Sequence, residues 1–213
     1  MKLPTSRALG LCLLLASGLC QASGLERLEA FIKTVRTGKA EFSQVVTAPA
    51  KEGQPQRSKT SSGTFEFSRP NRFRFDYTKP FEQRIVADGQ TLWLWDVDLN
   101  QVSARKQAAV LGSTPAALLA SAADLGALKA EFQLSDAAAQ DGLEWVLAVP
   151  RSRESTLQSV RLGFKGALPA VLEIVDSFGQ KSSIQFKGLE ANAALDAGRF
   201  QFRPPAGADL IQH

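Results

Sequence analysis

The fold is decided by residues 63–75, which read Gly63-Thr64-Phe65-Glu66-Phe67-Ser68-Arg69-Pro70-Asn71-Arg72-Phe73-Arg74-Phe75. Phenylalanines alternate with other residues on both sides of a short turn sequence, a pattern typical of two antiparallel strands with one apolar face. All of these rings, and Tyr77 beyond them, share that face only if the loop is odd in length. We therefore predict a hairpin with Phe67 opposite Phe75 and Pro70-Asn71-Arg72 as its loop.

The two-residue period continues on both sides of this hairpin and predicts one large antiparallel sheet. Residues 50–62 are polar and are expected to form a long loop. Further strands are predicted at 40–46, 83–87, 91–95, 101–105, 130–134, 143–149, 157–164, 170–176, 182–187 and 200–202. An open sheet of about ten to eleven strands must curl. The predicted fold is therefore mainly β (α+β), an unclosed antiparallel β-barrel.

Helical patterns occur at two places in the chain. Ser23 and Glu26 have the spacing of a capping box, and a helix of about four turns should run from there to Gly38. Ser113-Thr114-Pro115 has the form of a second helix start, followed by one or two short helices within 116–129. We expect both helical parts to cover the concave apolar face of the sheet.

The first residues have the layout of a secretory signal peptide. Lys2 and Arg7 precede an apolar run at 9–19 and a stretch of small residues, and we place cleavage after Ala22. A membrane anchor is the alternative, which the short run disfavours. The prediction is therefore a signal peptide at 1–22, a single domain at 23–213, and a periplasmic location.

Cysteine usage agrees with export without lipid attachment. Lipidation at Cys20 would need an apolar residue three positions before it and a small one just before it, whereas Ser17 and Leu19 have the reverse order. Cleavage removes Cys20 and Cys12, so the mature chain would hold no disulfide.

Residues suited to catalysis or metal binding are scarce. The one histidine is His213, the last residue, and the sequence has no phosphate loop or dinucleotide fingerprint. Asp96 and Asp98 could share a cation, but solvated turn residues explain them better. The net charge of +4 does not suggest a nucleic-acid binder. We expect no enzyme activity, no cofactor, no metal and no nucleic-acid partner.

Two residues of the sheet allow more than one interpretation. By parity Arg69 points to the side of the phenylalanines, where its charge would need acceptors such as helix-end carbonyls; alternatively it lies at the strand end and reaches solvent. Trp93 could pack as core or contact a ligand, because leucine and tryptophan alternate in this strand.

Four short motifs in fixed order resemble the periplasmic outer-membrane lipoprotein carrier family, LolA. They are Arg69-Pro70-Asn71 with Phe73, Asp-Gly-x-Thr-Leu-Trp at 88–93, Ser113-Thr114-Pro115, and Phe200-x-Phe202 with Pro204-Pro205-x-Gly207. Each motif alone is weak, but the ordered set spans nearly all of the predicted mature chain. One departure is Phe75, where members of the family can carry tryptophan.

The resemblance implies a monomeric carrier with a helical lid. Such a protein takes lipoproteins from an inner-membrane ABC transporter (LolCDE), shields their acyl chains, and passes them to an outer-membrane receptor (LolB). Arg69 would latch the lid through helix carbonyls, and Phe73 would lie near the mouth used in transfer. The residues expected in the cavity are Phe65, Phe67, Phe73, Phe75, Tyr77, Trp93 and Leu118.

Three other functions remain open at this stage. The same fold could carry another lipid or a glycolipid, or it could be a domain that senses lipoproteins. A periplasmic hydrolase is the third, against which the absence of an evident nucleophile and base counts.

Overall fold

The computed structural model describes residues 22–50, 53–110, 119–120 and 124–212. The helices are α1 (Gly24–Thr34), α2 (Gln107–Val110) and α3 (Leu125–Glu131), with a 3-10 helix at Ala197–Phe200. The strands are β1 (Thr37–Thr47), β2 (Ser58–Ser68), β3 (Arg72–Lys79), β4 (Gln83–Asp88), β5 (Thr91–Asp96), β6 (Gln101–Lys106), β7 (Phe132–Gln140), β8 (Leu143–Pro150), β9 (Leu157–Lys165), β10 (Leu168–Asp176), β11 (Lys181–Ala191) and β12 (Asp209–Gln212).

All twelve strands belong to one sheet, in the order β12-β6-β5-β4-β3-β2-β1-β11-β10-β9-β8-β7. Neighbours are antiparallel except for β12, which runs parallel to β6. Because β12 and β7 lie at the two ends of this order, the described strands form an unclosed barrel. This confirms the predicted fold class, with slightly more strands than expected.

The central hairpin has the predicted shared face but a different register. Phe67 lies opposite Phe73, and Phe65 lies opposite Phe75. The pairing of Phe67 with Phe75 was therefore wrong. The turn consists of 69–71, because the pairing of the two strands ends at Ser68 opposite Arg72, and Asn71 adopts a φ of 64°. The loop keeps its odd length, so the rings still share one face.

Helix α1 begins as predicted and ends earlier. Ser23 Oγ accepts a hydrogen bond from Glu26 N at 3.3 Å, and Glu26 Oε2 accepts one from Ser23 N at 2.9 Å, which is a complete capping box. The helix ends at Thr34, not at Gly38, which lies in β1. A Cβ atom on Gly38 would come within 2.4 Å of the Phe67 ring, so this glycine allows a close approach instead of ending the helix.

Two further expectations are corrected. Part of the predicted loop at 50–62 is strand, because Ser58–Ser68 pairs with β1 over its whole length. The first residues of β2 are polar and exposed, so their backbone hydrogen bonds to β1 form without the apolar alternation by which a strand is predicted from sequence. Residues 200–202 form no strand: Phe200 closes the 3-10 helix, and the last strand is β12.

The core lies on the concave face of the sheet. Helix α1 contacts β7, β8 and β9 and buries Leu28, Phe31 and Ile32, while α3 buries Leu128 next to β7. Leu119 and Ala120 are also buried in this core. The predicted arrangement, with helical segments covering the apolar face, is therefore present in the described residues.

The convex face is covered by the C-terminal segment. Arg199 Nε donates to Glu66 Oε2 at 2.5 Å, and Arg74 Nη1 donates to the carbonyl oxygen of Arg199 at 3.0 Å. Phe202 follows and packs on the Trp93 ring at 5.5 Å between centroids. Directional polar contacts thus fix this segment to the sheet.

Candidate lipid-binding site

A continuous row of aromatic rings lines the concave face. The Phe65 ring lies 4.5 Å from Phe75 and 5.7 Å from Phe67, and the Phe42 ring lies 5.4 Å from Phe75 and 5.0 Å from Tyr77. These residues come from β1, β2 and β3, which are neighbours in the sheet. The row forms an apolar surface long enough to contact an extended hydrocarbon chain.

Helix α1 packs against β7, β8 and β9 and reaches the Phe67 end of this row through Phe31. The Phe31 ring lies 6.0 Å from Phe67 and meets Phe164 edge-on at 6.1 Å. Such contacts depend on apolar area and shape, with only a modest contribution from ring orientation. Hydrocarbon chains could therefore replace the contacts that Phe31 makes. The N-terminal part of the helix is held differently, because Leu25 N donates to Asp136 Oδ1 at 2.8 Å and Arg27 Nη1 donates to the carbonyl oxygen of Gly166 at 2.7 Å.

Arg69 is a buried cation at the edge of the aromatic row. It is 6% exposed, and its guanidinium carbon lies 4.9 Å from the centre of the Phe31 ring and 5.4 Å from that of Phe67. Within the described part of the chain, its side-chain nitrogens have no hydrogen-bond acceptor. Of the two interpretations above, the one in which Arg69 reaches solvent is excluded by this burial.

Burial also changes the acidity of Arg69. Desolvation, and secondarily the nearby charge of Arg36, lower the pKa of the Arg69 guanidinium from 12.5 to about 10. The group still carries its charge at neutral pH. A charge held over two rings and away from water is an expensive arrangement unless acceptors stabilise it.

An open cavity of about 690 Å³ lies at the far end of the barrel from the turn at 69–71. Its wall includes Tyr77, whose hydroxyl donates to Gln44 Oε1 at 2.8 Å, and burial raises the pKa of Tyr77 to about 12. Phe81 and Leu99, at two turns of the rim, are exposed, and Lys59 Nζ lies 4.9 Å from the Phe81 ring centre. The cavity joins a polar rim to the aromatic row.

Most of the predicted cavity residues come together on the concave face. These are Phe65, Phe67, Phe73, Phe75 and Tyr77. Phe73, the expected mouth residue, is only 1% exposed and lies next to the turn at 69–71, at the other end of β3 from the open cavity. Leu118, with the predicted helix start at 113–115, lies outside the described residues.

Trp93 is the predicted cavity residue that the structure places elsewhere. It is paired with Val86 and Ala104, on the convex face beneath Phe202, and its Nε1 donates to Asp88 Oδ2 at 2.9 Å. The structure therefore contradicts the prediction that Trp93 lies in the cavity. The parity of the strand allowed either leucine or tryptophan to face inward, and Leu92 does so.

The carboxylate that holds Trp93 is itself firmly fixed. Burial acts to raise the pKa of Asp88, but hydrogen bonds from Thr91 N, Trp93 Nε1 and Gln90 N outweigh it and lower the pKa below its usual value. Asp88 thus stabilises the β4–β5 turn and orients Trp93 away from the concave face.

Two contributors to the site were not predicted. Phe42 alternates with Ala40 in β1, and that spacing could have placed it on the shared face. Phe31 lies on the buried side of α1, but only the register of the helix against the sheet brings it to Phe67 and Arg69.

Among residues 22–50, 53–110, 119–120 and 124–212, His, Cys, Asp and Glu side chains form no group of three or more that could hold a metal ion. In the same part of the chain, none of the helices combines the length and apolar character needed to cross a membrane.

An open half-barrel whose aromatic inner face is covered by its own helices belongs to the class of proteins that can shelter hydrocarbon chains. The family model described as "Outer membrane lipoprotein carrier protein LolA" matches residues 33–203. The chain belongs to this family, as the sequence resemblance indicated.

Curated relatives match almost the whole chain. An outer-membrane lipoprotein carrier protein from Albidiferax ferrireducens is 63% identical over 206 residues, covering 95% of this chain and 97% of that protein. One of the same description from Methylibium petroleiphilum is 51% identical over 199 residues, covering 93% and 94%. The crystal structure of a LolA superfamily protein from Nitrosomonas europaea aligns with a TM-score of 0.48 and 12% identity, over 85% of this chain and 99% of that one.

Proposed function

We propose that this protein is a periplasmic carrier that accepts lipoproteins at the inner membrane, shields their acyl chains, and delivers them to the outer membrane. The observation that carries the proposal is the aromatic row of the concave face, whose Phe67 end packs against Phe31 of α1. Membership of a carrier family supports it and also confirms the expectation that the chain is not an enzyme.

The thermodynamics of acyl chains require such a carrier. A lipoprotein carries about three chains, and each buried methylene contributes roughly 0.8 kcal/mol. Transfer through water is therefore too slow without a protein that buries the chains. Cargo on the concave face would displace the apolar contacts that Phe31 and Leu119 make there. Part of the burial free energy would then be cancelled, so the cargo could be released again.

Arg69 is proposed to latch the closed state. Its guanidinium is buried beside Phe31 of α1, and the turn that holds it also contacts Ala120, which lies between α2 and α3, since Asn71 N donates to Ala120 O at 3.1 Å. By family resemblance, backbone carbonyls of the lid would accept hydrogen bonds from Arg69. Phe73, next to this turn, would become accessible when the lid moves, which fits a role in transfer.

The remaining parts of the proposal come from the sequence and the family. Residues 1–22 would direct export and be removed, leaving Ser23 as the first residue. The new ammonium group would lie beside Glu26 Oε2, which already accepts from Ser23 N at 2.9 Å. The ABC transporter LolCDE would supply the cargo and the receptor LolB would accept it.

Release of lipoproteins from spheroplasts tests the proposal. Purified protein comprising residues 23–213 should release an outer-membrane lipoprotein as a soluble one-to-one complex, measured by size-exclusion chromatography and mass spectrometry. The matched control is the same cargo protein without its acyl chains, which should not form the complex. No release while the transporter is active would contradict the carrier function.

A further inference from the structure

The concave face changes from apolar to polar at one level of the sheet. Side chains two residues apart in a strand share a face, so the change can be followed along each strand. The successive apolar and polar residues are Phe42 and Gln44 in β1, Phe75 and Tyr77 in β3, and Ile85 and Gln83 in β4. The aromatic row therefore ends where a second, polar surface begins.

This polar surface is continuous across five neighbouring strands. Gln83 lies opposite Tyr77 on one side and opposite Asp96 on the other, and Gln44 lies opposite Ser61. Side chains in such cross-strand positions have Cβ atoms about 4.5–5.5 Å apart, close enough to contact one ligand together. All five residues line the open cavity of about 690 Å³, and we call them the polar floor.

Hydrogen bonds hold part of the polar floor in a fixed arrangement. The Tyr77 hydroxyl donates to Gln44 Oε1 at 2.8 Å, and Gln44 Nε2 donates to Ser182 Oγ at 2.6 Å. Gln44 is thus fixed at both ends of its amide group. The Gln83 side chain, which is half-buried, carries both a donor and an acceptor for a ligand.

The charges around the open cavity are balanced. Its wall holds Arg57 and Lys59 together with Asp96 and Asp98. A phosphate group would be attracted by the first two side chains and repelled by the carboxylates, so this wall gives it no net advantage. Ester and amide groups need only hydrogen-bond partners, which the polar floor supplies.

We propose that the polar floor binds the uncharged ester and amide groups that join the acyl chains to a lipoprotein, while the chains themselves lie on the aromatic row. The proposal rests on the proposed function in that the cargo is an acylated polypeptide, and it goes further by orienting that cargo. Tyr77 marks the boundary, because its ring stacks on Phe75 at 6.2 Å and its hydroxyl belongs to the floor. The acyl chains would run from Tyr77 towards Phe67, and the polypeptide would leave through the open cavity.

Replacing Gln83 by leucine distinguishes the occupants of the polar floor. With ester and amide groups on the floor, the affinity for a synthetic triacylated lipopeptide should fall about threefold to tenfold, because a hydrogen bond is lost. Hydrocarbon on the floor would instead bind more tightly to the leucine variant, and a solvated floor would leave the affinity unchanged; either result would overturn the proposal. Gln185→Leu is the matched control, since Gln185 is exposed on the convex face, and it should keep the affinity within about twofold.

NMR of the unaltered protein supplies a second measurement that does not depend on any variant. The side-chain amide signals of Gln83 should shift on loading with the lipopeptide, while those of Gln185 should not. Unchanged Gln83 signals in the loaded protein would overturn the proposal.

Two lipids with the same acyl chains test the kind of polar group. In the same detergent micelles, dipalmitoylglycerol should bind at least as tightly as dipalmitoyl phosphatidylglycerol. Tighter binding of the phospholipid would assign the polar floor to phosphate and overturn the proposal. Failure of the unaltered protein to bind the lipopeptide would overturn the proposed function, and the role of the polar floor with it.

Discussion

Replacing Phe31 by alanine should destabilise the empty protein and prolong the life of its complex with lipoprotein. Phe31 is 1% exposed and contacts Phe67, Phe164 and the guanidinium of Arg69. Truncating a buried phenylalanine costs about 3–5 kcal/mol. If cargo displaces α1, the loaded state has already lost these contacts and escapes most of the cost. A difference of about 3 kcal/mol corresponds to roughly a hundredfold tighter apparent binding.

Two measurements test this prediction. Urea unfolding gives the stability of the empty and of the loaded protein, and the dissociation rate of a bound triacylated lipopeptide gives the lifetime of the complex. Val86→Ala is the control, because Val86 is fully buried on the convex face between Arg74 and Trp93. It should destabilise the empty and loaded protein by the same amount. If Phe31→Ala also lowers both stabilities equally, or shortens the life of the complex, α1 is not displaced by cargo and the reasoning fails.

Three further outcomes are expected. Arg69→Leu should loosen the closed state and slow delivery of cargo to the receptor, and delivery at the wild-type rate would exclude the latch. Trp93→Phe should leave lipopeptide retention within about twofold, whereas Phe75→Leu should change it several-fold, since of these two residues only Phe75 lies on the concave face. Equal effects would contradict the assignment of faces. Tyr77 is the single tyrosine, so absorbance at alkaline pH reports it alone, and its midpoint should lie at about 12. Because the folded pKa is raised from 10.0, the stability that Tyr77 provides below about pH 10 is lost as the pH rises towards 12; a midpoint near 10 in the folded protein would contradict its burial.

The sequence could predict the aromatic face but not its register. Alternation from Phe65 to Phe75 requires only that the loop be odd in length, and loops of three residues at 69–71 or at 70–72 both satisfy this. The observed turn at 69–71 gives Asn71 two partners distant in sequence, because its carbonyl oxygen accepts from Gln107 Nε2 and its N–H donates to the carbonyl oxygen of Ala120. Local patterns carry no information about such contacts.

The assignment of faces was limited in the same way. Leu92 and Trp93 are both large and apolar, so alternation cannot decide which of them points inward. The decision comes from Phe202, more than a hundred residues later, which packs on the convex side. The sequence did not predict a strand at Ser58 to Ser62, because this part of β2 is held by its backbone pairing with β1 and not by apolar side chains.

Both faces of the sheet are covered by segments of the same chain, and both coverings include hydrogen bonds. The C-terminal segment is held by Arg199, which donates to Glu66, and the start of α1 is held by Leu25 N, which donates to Asp136 Oδ1. Phe31 differs, because it meets Phe67 through contact area alone. A hydrocarbon chain can reproduce such a contact whatever its length or saturation, since the contact needs no particular partner atom. Tolerance for varied acyl chains is therefore expected where Phe31 meets the aromatic row, and not where hydrogen bonds fix a covering segment to the sheet.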